Sequence, residues 1–318
     1  MDKVKKVACI GGKVIGSSWA VNFSMKGYPV TVTTTRQATL DDAKAKIEAF
    51  LDALVEKNVM TKDEAAAAKG RVSYTTVIAD AVKDADFIQE NTPDNLELKK
   101  SVLAEIEANC SADAIIASST SNLSIKKIAE DAKNPGRCIG AHPFNPPHLV
   151  PLVEISQGNA SEETVQRAVA FYKDCGKAPA VLRKDSIGFI ANRLQMALYR
   201  ESVDLVTRGV CSIEDIDNAV TFGPGMRWSC LGPNMLYQLG GGAGGLKGLL
   251  TALKAGGDAL IADLADWKVQ PAEWPDVAQE GVWEEMKNLP EYIGHTDAEV
   301  AAFRDDFFIE ILKMHHRL

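Results

Sequence analysis

Residues 11–19, Gly-Gly-Lys-Val-Ile-Gly-Ser-Ser-Trp (GGKVIGSSW), decide how the first half of this chain is read. The apolar run Val4–Ile10 precedes them and fits a buried strand. Gly16–Lys26 follows with a helical pattern closed by Gly27, and the β-branched stretch Tyr28–Thr34 reads as a second strand. Strand, glycine-rich turn, helix and strand form a βαβ unit, the context in which G-x-G-x-x-G signals a dinucleotide. Gly11 permits the tight turn and Gly16 lets helix pack closely on strand, while the helix's opening N–H groups would face a pyrophosphate. A P-loop does not fit, because Ser17 stands where G-x-x-x-x-G-K-[ST] needs its lysine. Lys13 replaces the second glycine. It is either a solvated loop residue or a charge that neutralises a phosphate.

The end of the second strand bears on the cofactor. An NAD site places Asp or Glu about 20 residues after the loop, to accept from the ribose 2′-hydroxyl. Here the position holds Thr34, followed by Thr35 and Arg36, with no carboxylate to repel a 2′-phosphate. Threonine hydroxyls and a guanidinium favour NADP. In the competing reading Arg36 stacks on adenine and NAD is used.

Further along, strands are expected at 72–76, 86–89, 114–118, 138–141, 152–155 and 178–182, with helices at 40–56, 62–69, 96–109 and 125–132. This alternation implies a doubly wound, mostly parallel Rossmann sheet. After about Ser186 helical patterns take over. The fold expected is therefore α/β, with a dinucleotide-binding domain over 1–186 and an all-α substrate-binding and dimerisation domain over 187–318. Ser212 with Asp215 reads as a capped helix start. The formal charge of −8, from 35 basic and 43 acidic side chains, argues against a nucleic-acid partner. Six scattered cysteines contain no C-x-x-C pair, so no metal site is expected, and Cys9 and Cys138 read as core residues. No apolar stretch reaches membrane-spanning length, and a reduced, cytoplasmic protein is expected.

Four polar residues stand out downstream. Ser121 follows the strand AIIAS, and His142 follows CIGA in AHPFNPP. Both lie at strand carboxyl ends, where doubly wound sheets place ligands. Glu154, in the apolar run LVEIS, needs a buried partner, and His142 is the natural one. Asn192 opens the long helix in GFIANRLQ. A histidine steadied by a carboxylate can take an alcohol's proton while a hydride leaves for nicotinamide. Ser121 and Asn192 can hydrogen-bond the reacting oxygen or the base.

These residues carry a resemblance. ASSTSNLSI, AHPFNPP, VEI and GFIANR resemble, in register, the segments of the 3-hydroxyacyl-CoA dehydrogenase superfamily, with 21 residues from Ser121 to His142, 12 to Glu154 and 38 to Asn192. VIGSSWA, IQENTPDNLELK, HPFNPPHLVPLVEI and GPGMRW resemble the group of L-gulonate 3-dehydrogenases, λ-crystallins and L-carnitine dehydrogenases. The resemblance implies a Rossmann domain followed by a helical domain that builds a homodimer. It implies His142 as general base, Glu154 as its partner, and Ser121 and Asn192 as substrate-binding groups. It puts the backbone of Val14 and Ile15 at the pyrophosphate, Asp94 and Lys99 on the nicotinamide side, and Arg227 at the substrate. Lys13 and Thr34 depart from the pattern, and both put plain NAD use in question.

A carboxylate clamp by Arg227 favours a small free 3-hydroxy acid over an acyl-CoA. Uncharged or polyhydroxylated acids rank first. Carnitine ranks second, since it needs an aromatic cage, for which Phe144, Trp228 and Tyr237 are candidates. Acyl-CoA ranks third. A crystallin-like structural role is the non-enzymatic alternative.

Overall fold

The structure, a computed structural model, describes residues 4–318. They divide into two compact units. One runs to Arg193 and takes back Phe308–Leu318, and the other comprises Leu194–Phe307. The end of the chain thus leaves the helical half to which the sequence reading assigned it. The reason is burial: Ile309 and Leu312 are 2% and 6% exposed within the main core of the first unit.

The first unit is built on eight strands: β1 (Val7–Ile10), β2 (Val30–Thr33), β3 (Val72–Thr75), β4 (Phe87–Glu90), β5 (Ile115–Ser118), β6 (Cys138–Pro143), β7 (Leu152–Ser156) and β8 (Ala178–Leu182). Its helices are α1 (Val14–Met25), α2 (Gln37–Glu56), α3 (Lys62–Gly70), α4 (Ile78–Val82), α5 (Leu96–Asn109), α6 (Ile125–Ile128) and α7 (Glu162–Asp174); α8 (Ala191–Thr207) starts at its last residues and belongs mostly to the second unit. Strand order is β3-β2-β1-β4-β5-β6-β7-β8. All neighbours run parallel except β6 and β7, which are antiparallel. The order reverses between β1 and β4, which opens the crevice where such sheets bind ligands.

Alternation along each strand sends side chains to both faces. Val7 and Cys9 join Val30, Val32 and Phe87 in a core under α1, α2 and α7, while Ala8, Ile10, Ile88 and Cys138 enter a second core under α4, α5 and α6. Burial on both faces explains why these strands read as unbroken apolar runs.

Sequence reading misses α7, although its signals are local. The Ser161 hydroxyl caps the Thr164 N–H, Glu162 and Glu163 occupy the first turn, and Lys173 the last. The helix is the crossover that the parallel pair β7–β8 requires. Sequence also leaves the reversal of direction at β7 undetected.

The second unit is helical throughout, with α9 (Ile213–Val220), α10 (Met226–Trp228), α11 (Pro233–Gly240), α12 (Gly245–Ala252), α13 (Lys254–Asp263) and α14 (Trp274–Asn288), and α15 (Asp297–Met314) closes the chain. Ser212 and Asp215 form the reciprocal capping box expected at the start of α9. No helix is long and apolar enough to cross a membrane among the described residues.

Candidate active site

The glycine-rich turn meets its requirements one residue at a time. Gly11 has φ +96°, and a Cβ there would sit 2.9 Å from the Asn91 carbonyl oxygen. A Cβ on Gly16 would lie 1.8 Å from the Gly11 oxygen, which no rearrangement of a side chain could relieve. Gly12 is equally constrained, its missing Cβ lying 2.5 Å from that of Ala43 and 2.8 Å from the Thr34 methyl. Lys13 has φ −72° and ψ −173°, extended backbone that any residue adopts. A lysine therefore costs the turn nothing. Lys13 offers no side-chain cap to α1, so the opening N–H groups of the helix, at Val14 and Ile15, are left for a ligand.

Beside this turn lies a cleft of about 430 Å³ at the carboxyl ends of β1, β2 and β4, lined in part by Gly11, Lys13, Thr35, Arg36, Lys46 and Asn91. Its size and uncapped helix end fit the adenosine–pyrophosphate part of a dinucleotide. Lys13, Arg36 and Lys46 reach it without an ion-pair partner among the described residues, and Asp42 is the one carboxylate in the lining. Thr34 lines the same cleft and also has a local task. Its hydroxyl donates to the Arg36 carbonyl at 3.0 Å and accepts from Thr39 at 2.9 Å, so it shapes the backbone at Arg36.

His142 and Glu154 face each other directly across the antiparallel pair β6–β7. His142 Nδ1 lies 3.0 Å from Glu154 Oε2. Glu154 is fully buried, and its other oxygen accepts the N–H groups of Ile190 and Ala191, at 2.7 and 2.9 Å, where α8 begins. Burial alone would raise the Glu154 pKa. The hydrogen bonds from His142, Ala191 and Ile190 outweigh it and hold the group below the ordinary carboxylate range. A carboxylate at Nδ1 keeps the proton on that nitrogen and leaves the lone pair on Nε2. The imidazole is 7% exposed, stacked on Phe189 at 5.0 Å and edge-on to Phe144 at 5.7 Å. Phe189 itself has φ +53°, a left-handed conformation held beside the imidazole.

Ser121 lies just past β5, on the sheet edge where β6 ends with His142 and Pro143. Its hydroxyl donates to Asp94 Oδ2 at 2.7 Å and its N–H reaches the same oxygen at 3.0 Å. Asp94 lies 3.7 Å from the Lys99 ammonium. Lys99 is 1% exposed and donates to both oxygens of Glu90, at 3.1 and 2.9 Å, and to the Thr92 carbonyl at 2.9 Å. Its charge is thus engaged within the protein, supporting the 90–94 turn from behind instead of lining the cleft. Glu90, 3% exposed, also accepts from Ser118 at 2.5 Å. Removing one partner of such a pair leaves a buried charge unpaired, so Lys99→Met is expected to lower unfolding stability by about 3–5 kcal/mol. Urea titration checks this.

Asn192 is half-buried in the first turn of α8, one residue after the N–H held by Glu154, and its amide has no protein partner among the described residues. Arg227 belongs to the other unit, exposed on α10. No group of three or more His, Cys, Asp or Glu that could hold a metal occurs among the described residues.

Sequence reasoning overlooks Glu90, Gly12 and Phe189. Glu90 gives the same signal that exposed Glu154, an acid inside the apolar strand FIQE. Gly12 and Phe189 give none, because their constraints come from Thr34, Ala43 and His142, remote in sequence.

A glycine-rich βαβ crevice and a carboxylate-steadied imidazole on one doubly wound sheet define a nicotinamide-dependent oxidoreductase of CH–OH groups. Residues 6–186 match the 3-hydroxyacyl-CoA dehydrogenase NAD binding domain, and residues 188–285 match the 3-hydroxyacyl-CoA dehydrogenase C-terminal domain. The chain belongs to the 3-hydroxyacyl-CoA dehydrogenase family. It is 36% identical to an L-carnitine dehydrogenase of Streptomyces coelicolor over 100% of this chain and 96% of the relative. Among solved structures it resembles 5-formyl-3-hydroxy-2-methylpyridine 4-carboxylic acid 5-dehydrogenase, an NAD+ dependent dismutase (TM-score 0.80, 28% identity, 98% and 97% of the two chains). It also resembles the (S)-3-hydroxybutyryl-CoA dehydrogenase of Ralstonia eutropha (TM-score 0.69, 28% identity, 88% and 95%).

Proposed function

We propose that the chain oxidises the secondary alcohol of a small free 3-hydroxy acid, and reduces the 3-oxo acid in reverse, with His142 as the proton acceptor. The observation that carries this is the His142–Glu154 pair, whose carboxylate is pinned by two backbone N–H groups. As the C3–H bond breaks, the bound nicotinamide ring supplies the hydride acceptor. His142 Nε2 takes the hydroxyl proton, and Glu154 stabilises the resulting imidazolium. Asn192, with its amide unpartnered, and Ser121, rotated off Asp94, hold the alcohol oxygen. Arg227 pairs with the substrate carboxylate.

The sequence ranking puts polyhydroxylated acids ahead of carnitine. Similarity to relatives named L-carnitine dehydrogenase supports the opposite order. Absorbance at 340 nm, with L-carnitine, L-gulonate and 3-hydroxybutyryl-CoA each offered NAD and NADP, tests the reading. Turnover confined to the CoA ester overturns the free-acid assignment.

For the cofactor we favour NADP over NAD within the same cleft. Lys13, Arg36 and Lys46 around the adenosine end, with no acid at the end of β2, support a 2′-phosphate. One charged hydrogen bond of about 1.5–3 kcal/mol is at stake. Arg36→Ala is accordingly expected to raise KM for NADPH by roughly 10- to 100-fold while leaving NADH within about threefold. Equal changes for the two cofactors, in steady-state assays of both, remove the assignment.

A homodimer through the helical unit is part of the proposal. Leu239, Leu253, Leu260 and Ile261 are 58–69% exposed there, apolar side chains that a partner subunit would cover. Light scattering at micromolar concentration tests it.

A further inference from the structure

The segment 144–151 joins the strand of His142 to the strand of Glu154, and it is fastened to elements outside that pair. Lys177, immediately before β8, is 3% exposed. Its ammonium donates to the carbonyls of Pro147 and Val150, the latter at 2.7 Å, and lies 5.0 Å from the centre of the Trp19 ring. No carboxylate pairs with it among the described residues, and Lys26 and Arg317 add positive charge nearby. On α1 the Ser18 hydroxyl accepts the His148 N–H at 2.8 Å and meets His148 Nδ1 at 2.7 Å. Burial, with the Lys177 charge, pushes the His148 pKa down to about 4. The ring is therefore neutral near pH 7, and its Nδ1 shares one hydrogen bond with the Ser18 hydroxyl. The same ring stacks on Phe50 of α2 at 4.7 Å.

Burial pushes the Lys177 pKa down to about 7, so a buried amine without a counter-ion is an expensive way to fill space, and an apolar side chain would pack more cheaply. What Lys177 adds is direction: two carbonyls of one loop are drawn to one point. Ser18 grips the same loop from the helix whose amino end opens onto the cofactor cleft. Hydride acceptor and proton acceptor are thereby referred to a single rigid element.

We infer that Ser18, His148 and Lys177 are positioning residues that lock the His142–Glu154 hairpin to α1 and so set the reach from the base to the hydride acceptor. The inference rests on His142 being the base. A displacement of about 1 Å at such a distance costs on the order of 100-fold in rate.

Lys177→Met and Ser18→Ala remove the lock from its two ends. Each is expected to lower kcat by roughly 10- to 100-fold while the cofactor Kd, read by nucleotide fluorescence, stays within about twofold. The double variant is expected to lose about as much as the worse single one, because both act on one loop. A role in stability alone would lower Tm and leave kcat at 25 °C untouched. Wild-type kcat in Ser18→Ala overturns the inference, even where Lys177→Met does not fold. His142→Ala, assayed alongside, separates the two levels. If it is inactive while the lock variants are fully active, the lock alone fails; if it is active, the base assignment fails and the inference with it.

Discussion

His142→Ala is expected to lower kcat by about 10³- to 10⁴-fold, with the cofactor bound as before. The size follows from what is removed. With Nδ1 held by Glu154, Nε2 is the one basic position of the ring, and water would have to accept the alcohol proton in its place. Cofactor affinity is spared because His142 does not line the 430 Å³ cleft. Steady-state kcat, with fluorescence titration of the cofactor, checks both halves of the expectation. The truncation leaves a cavity between Phe144 and Phe189, so a thermal melt belongs with the assay. A folded variant retaining more than about a tenth of wild-type kcat refutes His142 as the base.

Glu154→Gln has the second largest expected effect. The amide keeps the shape of the side chain, and its oxygen can still accept from Ile190 and Ala191. Its NH₂ then points at His142 Nδ1, and a donor there drives the imidazole proton to Nε2, the nitrogen that must accept. The geometry survives with the wrong tautomer, and kcat is expected to fall on the order of 10³- to 10⁴-fold. Acid stability should respond as well. Folding lowers the Glu154 pKa, so its contribution is full above the unfolded carboxyl's pKa and is lost as pH falls through the folded one. In Glu154→Gln that loss on acidification should be absent from urea titrations at successive pH values. Unchanged kcat in a folded Glu154→Gln variant would show that the carboxylate does not orient the base.

Much of this was legible in one dimension, for identifiable reasons. The strands are buried on both faces, so each announces itself as a short apolar run, and the eight strands fall on the segments read as strands. The pairing of His142 with Glu154 follows from a polar-burial argument: an acid in an apolar strand must find a partner. Applied again, that argument points to Glu90, which accepts from Lys99, Thr92 and Ser118. The antiparallel turn of β7 is marked only by the shortness of the link 144–151, which leaves no room for a parallel crossover. What fastens that link has no local signal, because Lys177 and Ser18 stand far from it in sequence. Thr34 shows the same limit, since a threonine at a strand end is compatible with gripping ligand or backbone.

By itself, then, the sequence determined the family, the βαβ start of the sheet and the chemical types gathered along its carboxyl edge. Those rest on local period, turn chemistry and the cost of burying charge, which act over a few residues. Tertiary structure alone decided which hydroxyls and cations remain open to a ligand. That Lys99 meets Glu90, and that the Thr34 hydroxyl meets the Arg36 carbonyl while the residue still lines the cleft, depends on partners that only the folded chain brings within about 3 Å.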